Sequence, residues 1–195
     1  MGMTHDHGHE GLSDNAQAFA HLREDKDGWL RSSPDSPIPE QDRSAFRGLA
    51  YFPVDERYQL TARKVIDPEA HRVTLATSAG VPREMIQYAT LEFEIDGAPV
   101  KLWAYKAVPL RGHSQHDRML FVPFRDATSG KESYGAARYL DLEEAAGDQQ
   151  PLDFNRAYNP YCAYDAEHFV CPFPPRENHI PVAIRAGEMN YEKAR

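Results

Sequence analysis

The residues best suited to chemistry lie close together near the C-terminal end, in the segment DFNRAYNP at residues 153–160. Asp153 can serve as a general base if burial raises its pKa, and the Tyr158 hydroxyl can both donate and accept a hydrogen bond. Glu177 follows a rigid proline-rich stretch that can fold back over this segment and bring a second carboxylate. Two carboxylates in different environments suffice for acid and base roles. We therefore predict that Asp153, Tyr158 and Glu177 are catalytic.

Side chains able to hold a substrate surround this segment. Arg125 and Arg138 lie in strand-like runs, and an arginine can grip a carboxylate or phosphate with two parallel hydrogen bonds. The tripeptide SGK at 129–131 superficially resembles a phosphate-binding loop, but the required glycine and hydroxyl positions hold Arg125 and Glu132, which excludes nucleotide hydrolysis by that route. We predict a pocket for a small anionic molecule, with these substrate-binding residues: Arg125, Asp126, Arg138, Asn155, Asn159 and Asn178.

The same polar residues also have a structural interpretation. Residues 125–131 can form a hairpin turn in which Asp126 and Thr128 bind backbone amides and Gly130 takes a positive φ. The asparagines of residues 153–160 can satisfy backbone groups in a buried loop. Both interpretations stay open at this level.

Cys162 and Cys171 are the only cysteines of the chain. With His168 and His179 they have the ligand types of a structural zinc site, although the spacing matches no established zinc pattern. The two cysteines could equally form a disulfide, a redox-switchable pair or two buried thiols. Zinc bound by Cys162 and Cys171 is thus the one cofactor that the sequence suggests.

Four segments of the sequence resemble a known family of uncharacterised proteins. They are FRGLAYFPVDERYQLTAR, FVPFRDATSGKESYGAARYLDL, LDFNRAYNPYCAY and CPFPPRENHIPVAIRAGE. Together they are similar to the family known as domain of unknown function 1684, over roughly residues 20 to 188. The resemblance implies no particular activity. Both cysteines match its motif and His168 does not, which weakens the case for a four-ligand zinc site.

Composition limits the classes of function. With 195 residues the chain is long enough for one domain with a sizeable core. The net charge of −8, from 30 acidic and 22 basic residues, argues against a nucleic-acid surface. No apolar run reaches the length of a membrane span, and the first residues lack the regions of a secretion signal. We therefore expect a cytoplasmic protein with no nucleic-acid or membrane partner.

The N-terminal third must provide the elements that support the site. We expect a disordered, histidine-containing tail at residues 1–12, followed by one β-rich domain at residues 13–195. An amphipathic helix is predicted at about residues 14–30, because a capping residue precedes apolar residues at helical spacing. A proline-rich linker at residues 32–39 follows, and the sheet is expected from about residue 58.

Alternation of apolar and polar residues predicts the strands. Residues 91–95 and 100–104 alternate around Asp96-Gly97, which is a tight hairpin turn, and Lys101 can then face a glutamate across the ladder. Further strands are predicted at residues 58–65, 72–77, 119–124, 134–142 and 181–186. About seven short strands with one helix indicate a mainly β fold, either an antiparallel β-sandwich or a partly open β-barrel.

These observations favour a small-molecule-binding enzyme, of hydrolase or lyase type, that acts on an anionic substrate in a polar pocket. A non-catalytic ligand- or metal-binding module is a second hypothesis. A structural protein whose polar network locks the fold is a third.

Overall fold

The computed structural model describes residues 14–108 and 118–192, so the predicted tail at residues 1–12 lies outside the described residues. Two helices, α1 and α2, precede seven strands, β1 to β7. The helices are Asp14–Ser32 and Glu40–Arg43, and the strands are Gln59–Ile66, Arg72–Leu75, Arg83–Ile95, Ala98–Ala107, Met119–Phe124, Arg138–Glu143 and Gln149–Asp153. Short 3-10 turns lie at Glu56–Tyr58, Phe154–Arg156, Tyr161–Ala163 and Arg176–Asn178.

The strands form one seven-stranded antiparallel sheet that curls into a half-barrel. Its order is β6-β5-β4-β3-β1-β7, with β2 added beside the first part of β3. This confirms the prediction of a mainly β fold with a partly open barrel and an N-terminal helix. None of the helices in the described ranges has both the length and the apolar character that a membrane crossing needs.

The hairpin between β3 and β4 follows the sequence prediction. Asp96 and Gly97 form its turn with φ values of 50° and 76°. Glu92 pairs with Lys101 across the ladder, and their charged groups lie 3.7 Å apart. The turn chemistry and the alternation therefore set the register of the two longest strands.

Apolar side chains on the concave face of the sheet fill the half-barrel. Leu120 and Val122 of β5 and Leu140 of β6 are almost fully buried there, together with Phe124 and Phe154, whose rings meet edge to face at 5.2 Å. Residues between these positions, such as Phe121 and Tyr139, belong to a separate cluster outside this core. The sheet thus has one aliphatic face and one aromatic face along β5 and β6.

Helix α1 is attached to the body of the protein by a second, smaller core. Leu30 packs with Ile38, Phe46 and Tyr164. The predicted linker between helix and sheet folds back onto this core, because the Arg43 guanidinium donates to backbone carbonyls of the linker, among them Ile38 at 2.8 Å. The C-terminal half of the helix is therefore held close to residues 157–172.

The strand predicted at residues 181–186 is absent, and a buried ion pair explains why. Asp126 and Arg138 have no exposed side-chain surface and meet at 3.1 Å. The Asp126 carboxylate accepts from the Ile184 backbone N–H at 2.7 Å, and Arg138 donates to the carbonyls of Ile184 and Ala186. Side chains therefore occupy backbone groups that a neighbouring strand would need, and the segment forms no strand ladder, with the Val182 carbonyl accepting a single backbone hydrogen bond from Ala127.

A second charged cluster ties the end of β6 to the far strands. Glu144 accepts hydrogen bonds from Lys64 of β1, Tyr88 of β3 and Lys106 of β4. Partial burial disfavours its charge, but the hydrogen bonds from Lys106, Lys64 and Tyr88 outweigh it and lower the pKa of Glu144 to about 2. The carboxylate is thus a connection between four strands that requires its negative charge.

Removing the arginine of the buried pair should severely destabilise the fold. Arg138→Met leaves the Asp126 charge buried and frees three carbonyls, and breaking a buried pair in this way costs about 3 to 5 kcal/mol. The measurement is the free energy of unfolding in urea. The matched control is Arg185→Met, which removes an exposed pair with Glu132 and should cost much less. Equal losses would show that burial of the pair is unimportant.

Glu144 should make stability depend on acid pH. Its pKa is lower in the folded chain than the ordinary value of 4.5, so its contribution is complete above about pH 4.5 and is lost as pH falls towards about 2. Glu144→Gln should therefore unfold more easily than the parent protein at pH 7, by a margin that shrinks between these pH values. Urea titrations across this range measure it, and Glu143→Gln, at an exposed neighbour, is the control. A margin independent of pH would contradict the assignment.

Candidate functional site

An aromatic pocket lies on the outer face of the sheet, where α1 and residues 158–172 cover strands β3 to β6. Its volume is about 680 Å³, within the usual range for small-molecule sites. Six aromatic side chains form much of its wall: Trp29, Phe121, Tyr139, Tyr158, Tyr161 and Phe169. An aromatic surface that is enclosed by three separate parts of the chain is suited to bind a flat apolar group.

The two-residue period of the strands places part of this wall. Phe121 lies between the inward-facing Leu120 and Val122, so it points to the outer face, and it pairs in register with Asp141 of β6. Tyr139 lies on the same face as Asp141, two residues earlier in β6. Aromatic residues on the face away from the core require a cover, and here the helix and the loop provide it.

Edge-to-face contacts hold the aromatic rings in place. Tyr139 meets Phe121 at 4.8 Å and Tyr158 at 5.8 Å, with nearly perpendicular planes. Tyr161 contacts Phe169 at 5.3 Å and stacks on Trp29 of α1 at 6.4 Å. Such pairs add attraction beyond area burial, so the wall is largely formed before any ligand binds.

Two of the three tyrosine hydroxyl groups of the pocket, those of Tyr139 and Tyr158, are used within the protein. Tyr158 donates to the Asp141 carboxylate at 2.6 Å, and Tyr139 donates to the Pro172 carbonyl at 2.5 Å. Burial, and for Tyr158 the charge of Asp141, raises the pKa of both phenols. Both groups therefore remain protonated at neutral pH, and Tyr158 cannot accept a proton from a substrate while it donates to Asp141.

Two cations line the pocket, and they differ in how they are balanced. Lys26 forms an ion pair with Glu188, which is almost fully buried and also accepts from the Asn159 N–H and the Tyr164 hydroxyl. Arg83, at the start of β3, is exposed. Of these two cations, Arg83 is therefore the one better placed to bind an anionic ligand.

The two cysteines lie side by side at the wall of this pocket. Cys171 lines it, and its sulfur accepts a hydrogen bond from the Cys162 backbone N–H at 3.2 Å. Both are free thiols. The hydrogen bond from the Cys162 thiol lowers the pKa of Cys171 to about 7; backbone N–H donors and the charge of Arg83 act in the same direction, against burial. The same thiol contact, together with burial, raises the pKa of Cys162.

The zinc hypothesis finds no ligand set in the part of the chain that the structure describes. No three His, Cys, Asp or Glu side chains there are grouped closely enough to hold a metal ion. His168 is exposed and its ring contacts Asp165 at 2.7 Å. The polar side chains next to the cysteines include those of Tyr134 and Ser78, which are not zinc ligands of the predicted type.

Most residues predicted to bind substrate are bound to the protein itself. Asp153 accepts from the Asn155 N–H, and the Asn155 amide exchanges two hydrogen bonds with the backbone of Asp55. The Asn159 amide donates to the Met189 carbonyl at 2.8 Å. These contacts fix the entrance to the loop at residues 157–172, which is the structural interpretation that the sequence left open.

Asn178 fills a gap between two strands. In β5, Pro123 has no N–H and cannot complete a ladder with β4. The buried Asn178 amide donates to the carbonyls of Pro123 and Trp103 and accepts from the Trp103 N–H, all at 2.7–2.9 Å. The Asn178 side chain thus makes hydrogen bonds that a neighbouring β-strand would otherwise make.

Of the predicted site residues, the structure brings only Tyr158 and Cys171 to the aromatic pocket. Asp153 and Glu177 are not among its lining residues, Glu177 being exposed on a 3-10 turn. Arg125 is half-buried beside the backbone of His179, and Asp126 and Arg138 are the buried pair. Whether these residues contact a substrate stays a prediction.

Sequence reasoning missed several residues of the pocket. They are Lys26, Trp29, Arg83, Phe121, Tyr139 and Asp141. One signal was present: aromatic residues at the outward positions of β5 and β6 are unusual on an open surface. Nothing local in the sequence indicates that the helix covers them.

Comparison with known proteins gives a family and solved structures that resemble this chain. The model of the family described as Protein of unknown function (DUF1684) matches residues 44–189. The chain belongs to this family. A comparison with the curated proteins gives no match for this DUF1684 protein.

The DUF1684 chain is also similar to an uncharacterised protein from Haloarcula marismortui whose structure was solved by solution NMR. The two are 37% identical, the match covers 90% of this chain and 94% of that chain, and the TM-score is 0.68. The similarity therefore extends over nearly the whole chain.

The structural role of Asn178 can be tested directly. Asn178→Ala leaves three buried backbone groups unpaired, and since each costs roughly 1 to 3 kcal/mol, we expect a loss of about 3 kcal/mol or more in unfolding free energy. Asn178→Asp should be no better, because a carboxylate cannot donate to the two carbonyls. The control is Asn190→Ala, which removes an exposed side-chain hydrogen bond to the Lys131 carbonyl. Urea unfolding measures all three, and an aspartate variant of normal stability would contradict the role.

Proposed function

We propose that this DUF1684 protein binds a small molecule that has a flat apolar body and an anionic group, in the aromatic pocket. The observation that carries the proposal is the combination of six aromatic side chains around a cavity of about 680 Å³ with the exposed Arg83 among its lining residues. The rings offer a large contact area at little entropic cost, since most are already held by one another.

The charges of the pocket favour an anion at Arg83. Lys26 is paired with Glu188, whereas Asp141 accepts from the neutral Tyr158 hydroxyl and keeps its negative charge. Arg83 adds a positive charge whose influence reaches Cys171 and Tyr139. A guanidinium can hold a carboxylate, sulfonate or phosphate through two parallel hydrogen bonds.

Ligand binding is better supported than a hydrolase or lyase reaction. Such a reaction needs a group that exchanges protons with the substrate, and Asp153 and Glu177 lie away from the pocket. Catalysis by these carboxylates remains a separate prediction. The cytoplasm is the compartment that we propose, because Cys162 and Cys171 are free thiols, as is usual in a reducing environment.

A matched pair of dyes tests the proposal. The chain has two tryptophans, so Trp103→Phe leaves Trp29 at the pocket as the single energy donor. We expect 8-anilinonaphthalene-1-sulfonate, a flat anion, and N-phenyl-1-naphthylamine, its uncharged analogue, to quench Trp29 on binding. Arg83→Met should weaken binding of the anion about tenfold, or about 1.4 kcal/mol, and leave the neutral dye unaffected.

The control for the dye experiment is Arg72→Met, which removes an exposed arginine that is paired with Glu84. It should change the affinity for neither dye. The proposal fails if neither dye quenches Trp29. Its anionic part fails if Arg83→Met weakens both dyes equally.

A further inference from the structure

The two thiols are arranged for a reaction with each other. The Cys171 sulfur accepts from the Cys162 N–H at 3.2 Å. Eight residues separate them in sequence, and both are packed into the same small cluster with Ala137 and Tyr139. The Cys171 sulfur therefore lies against the residue that carries the other thiol, which is the neighbourhood that a disulfide requires.

Only one of the two thiols is presented to the pocket. Cys171 is a lining residue and Cys162 is not. The backbone of Cys171 is fixed by Ser78, whose hydroxyl accepts from the Cys171 N–H at 3.1 Å and whose N–H donates to the Cys171 carbonyl at 3.0 Å. Cys162 lies behind it with the Tyr134 hydroxyl at 3.9 Å. We therefore call the Cys171 sulfur the outer sulfur and the Cys162 sulfur the inner sulfur.

The surroundings favour the ionised form of the outer sulfur. The Cys171 sulfur accepts hydrogen bonds from the backbone N–H groups of Cys162 and Tyr161. The positive charge of the Arg83 guanidinium also favours the thiolate. The lowering of the pKa of Cys171 towards neutrality agrees with this geometry. A thiolate next to an open pocket is the arrangement expected of a reactive cysteine.

We propose that Cys171 reduces organic hydroperoxides with an aromatic or apolar body, and that Cys162 then resolves the oxidised Cys171 by forming a disulfide. The inference uses the pocket of the proposed function but does not require its anionic ligand. The aromatic wall gives such a hydroperoxide a surface on which to bind beside the sulfur, whereas hydrogen peroxide has no apolar part to use it.

The chemistry balances in two steps. The Cys171 thiolate attacks the terminal oxygen of R–O–OH, the O–O bond breaks, and the departing alkoxide takes one proton, leaving the alcohol R–OH and a sulfenic acid on Cys171. The Cys162 thiol then attacks this sulfur, forms the Cys162–Cys171 disulfide and releases water. The two thiols together lose two electrons and two protons, and an external dithiol returns them to the reduced state.

The experiment uses the full chain, reduced with dithiothreitol and freed of excess reagent, and treated at pH 7 with equimolar cumene hydroperoxide or hydrogen peroxide. Thiol titration and intact mass measure the rate and the product. We expect a monomer that has lost two hydrogen atoms, with cumyl alcohol as co-product. The folded chain should react with cumene hydroperoxide at least about fivefold faster than the urea-unfolded chain, because more of its Cys171 is ionised.

Two variants assign the roles. Cys162→Ser should stop at a sulfenic acid on Cys171 that dimedone traps, whereas Cys171→Ser should react no faster than unfolded chain. Circular dichroism checks the fold of both. Independently of either variant, limited alkylation of the parent protein with N-ethylmaleimide should label Cys171 before Cys162 in peptide maps.

Each part of the inference has an outcome that overturns it. Equal rates for folded and unfolded chain, or alkylation of Cys162 first, would refute the reactive role of Cys171. The proposed substrate class would be refuted if the folded chain preferred cumene hydroperoxide over hydrogen peroxide no more strongly than the unfolded chain does. Oxidation that proceeds while both dyes fail to bind would contradict only the ligand proposal, and dye binding without accelerated oxidation would contradict only this inference.

Discussion

The burial of the Arg138 charge is the constraint on which the C-terminal part of the structure depends. A guanidinium without solvent contact must find acceptors for its donors, and here they are Asp126 and the carbonyls of Ile184 and Ala186. The last extended segment is therefore fixed against β6 by side chains instead of by a ladder. The segment that follows carries Glu188, the buried partner of Lys26 on helix α1. The position of the helix over the sheet is thus linked to the same buried charge.

Several other polar side chains of residues 125–188 also serve to satisfy buried polar groups of the protein. Asn155 binds the backbone of Asp55, and Asn178 substitutes for the N–H that Pro123 lacks. Each amide both donates and accepts, so it can replace a missing strand neighbour, which a lysine or a carboxylate could not do. Polar residues that resemble a catalytic set in the sequence are here the means by which irregular backbone is buried. The pocket is made instead of aromatic residues that this scaffold holds apart from the core.

The parts of the fold that could be predicted are those that depend on local rules. The β3–β4 hairpin follows from Asp96-Gly97 and from alternation, and α1 follows from helical spacing. The strand predicted at residues 181–186 was wrong because alternation reports which side chains are buried and not what binds the backbone. Strand β7 was missed because Pro151 and a short run of polar residues hide it. Arg83 and Lys26 could not be assigned to a site, since they are distant in sequence and meet only after the sheet curls and the helix docks.

For the two cysteines, residue type alone leaves several chemical roles open. Their type suggested metal, disulfide or free thiols, and the choice depends on distances that the sequence does not contain. In the folded chain, the pKa of Cys171 is lowered by the Cys162 thiol, by backbone N–H groups such as that of Cys162 at 3.2 Å, and by the charge of Arg83. An anion bound to Arg83 would neutralise part of that charge and so favour the protonated thiol. By linkage, ionisation of Cys171 would then weaken binding of the anion by the same factor. The two proposals, an anionic ligand in the pocket and oxidation of Cys171, therefore predict coupling through the Arg83 guanidinium.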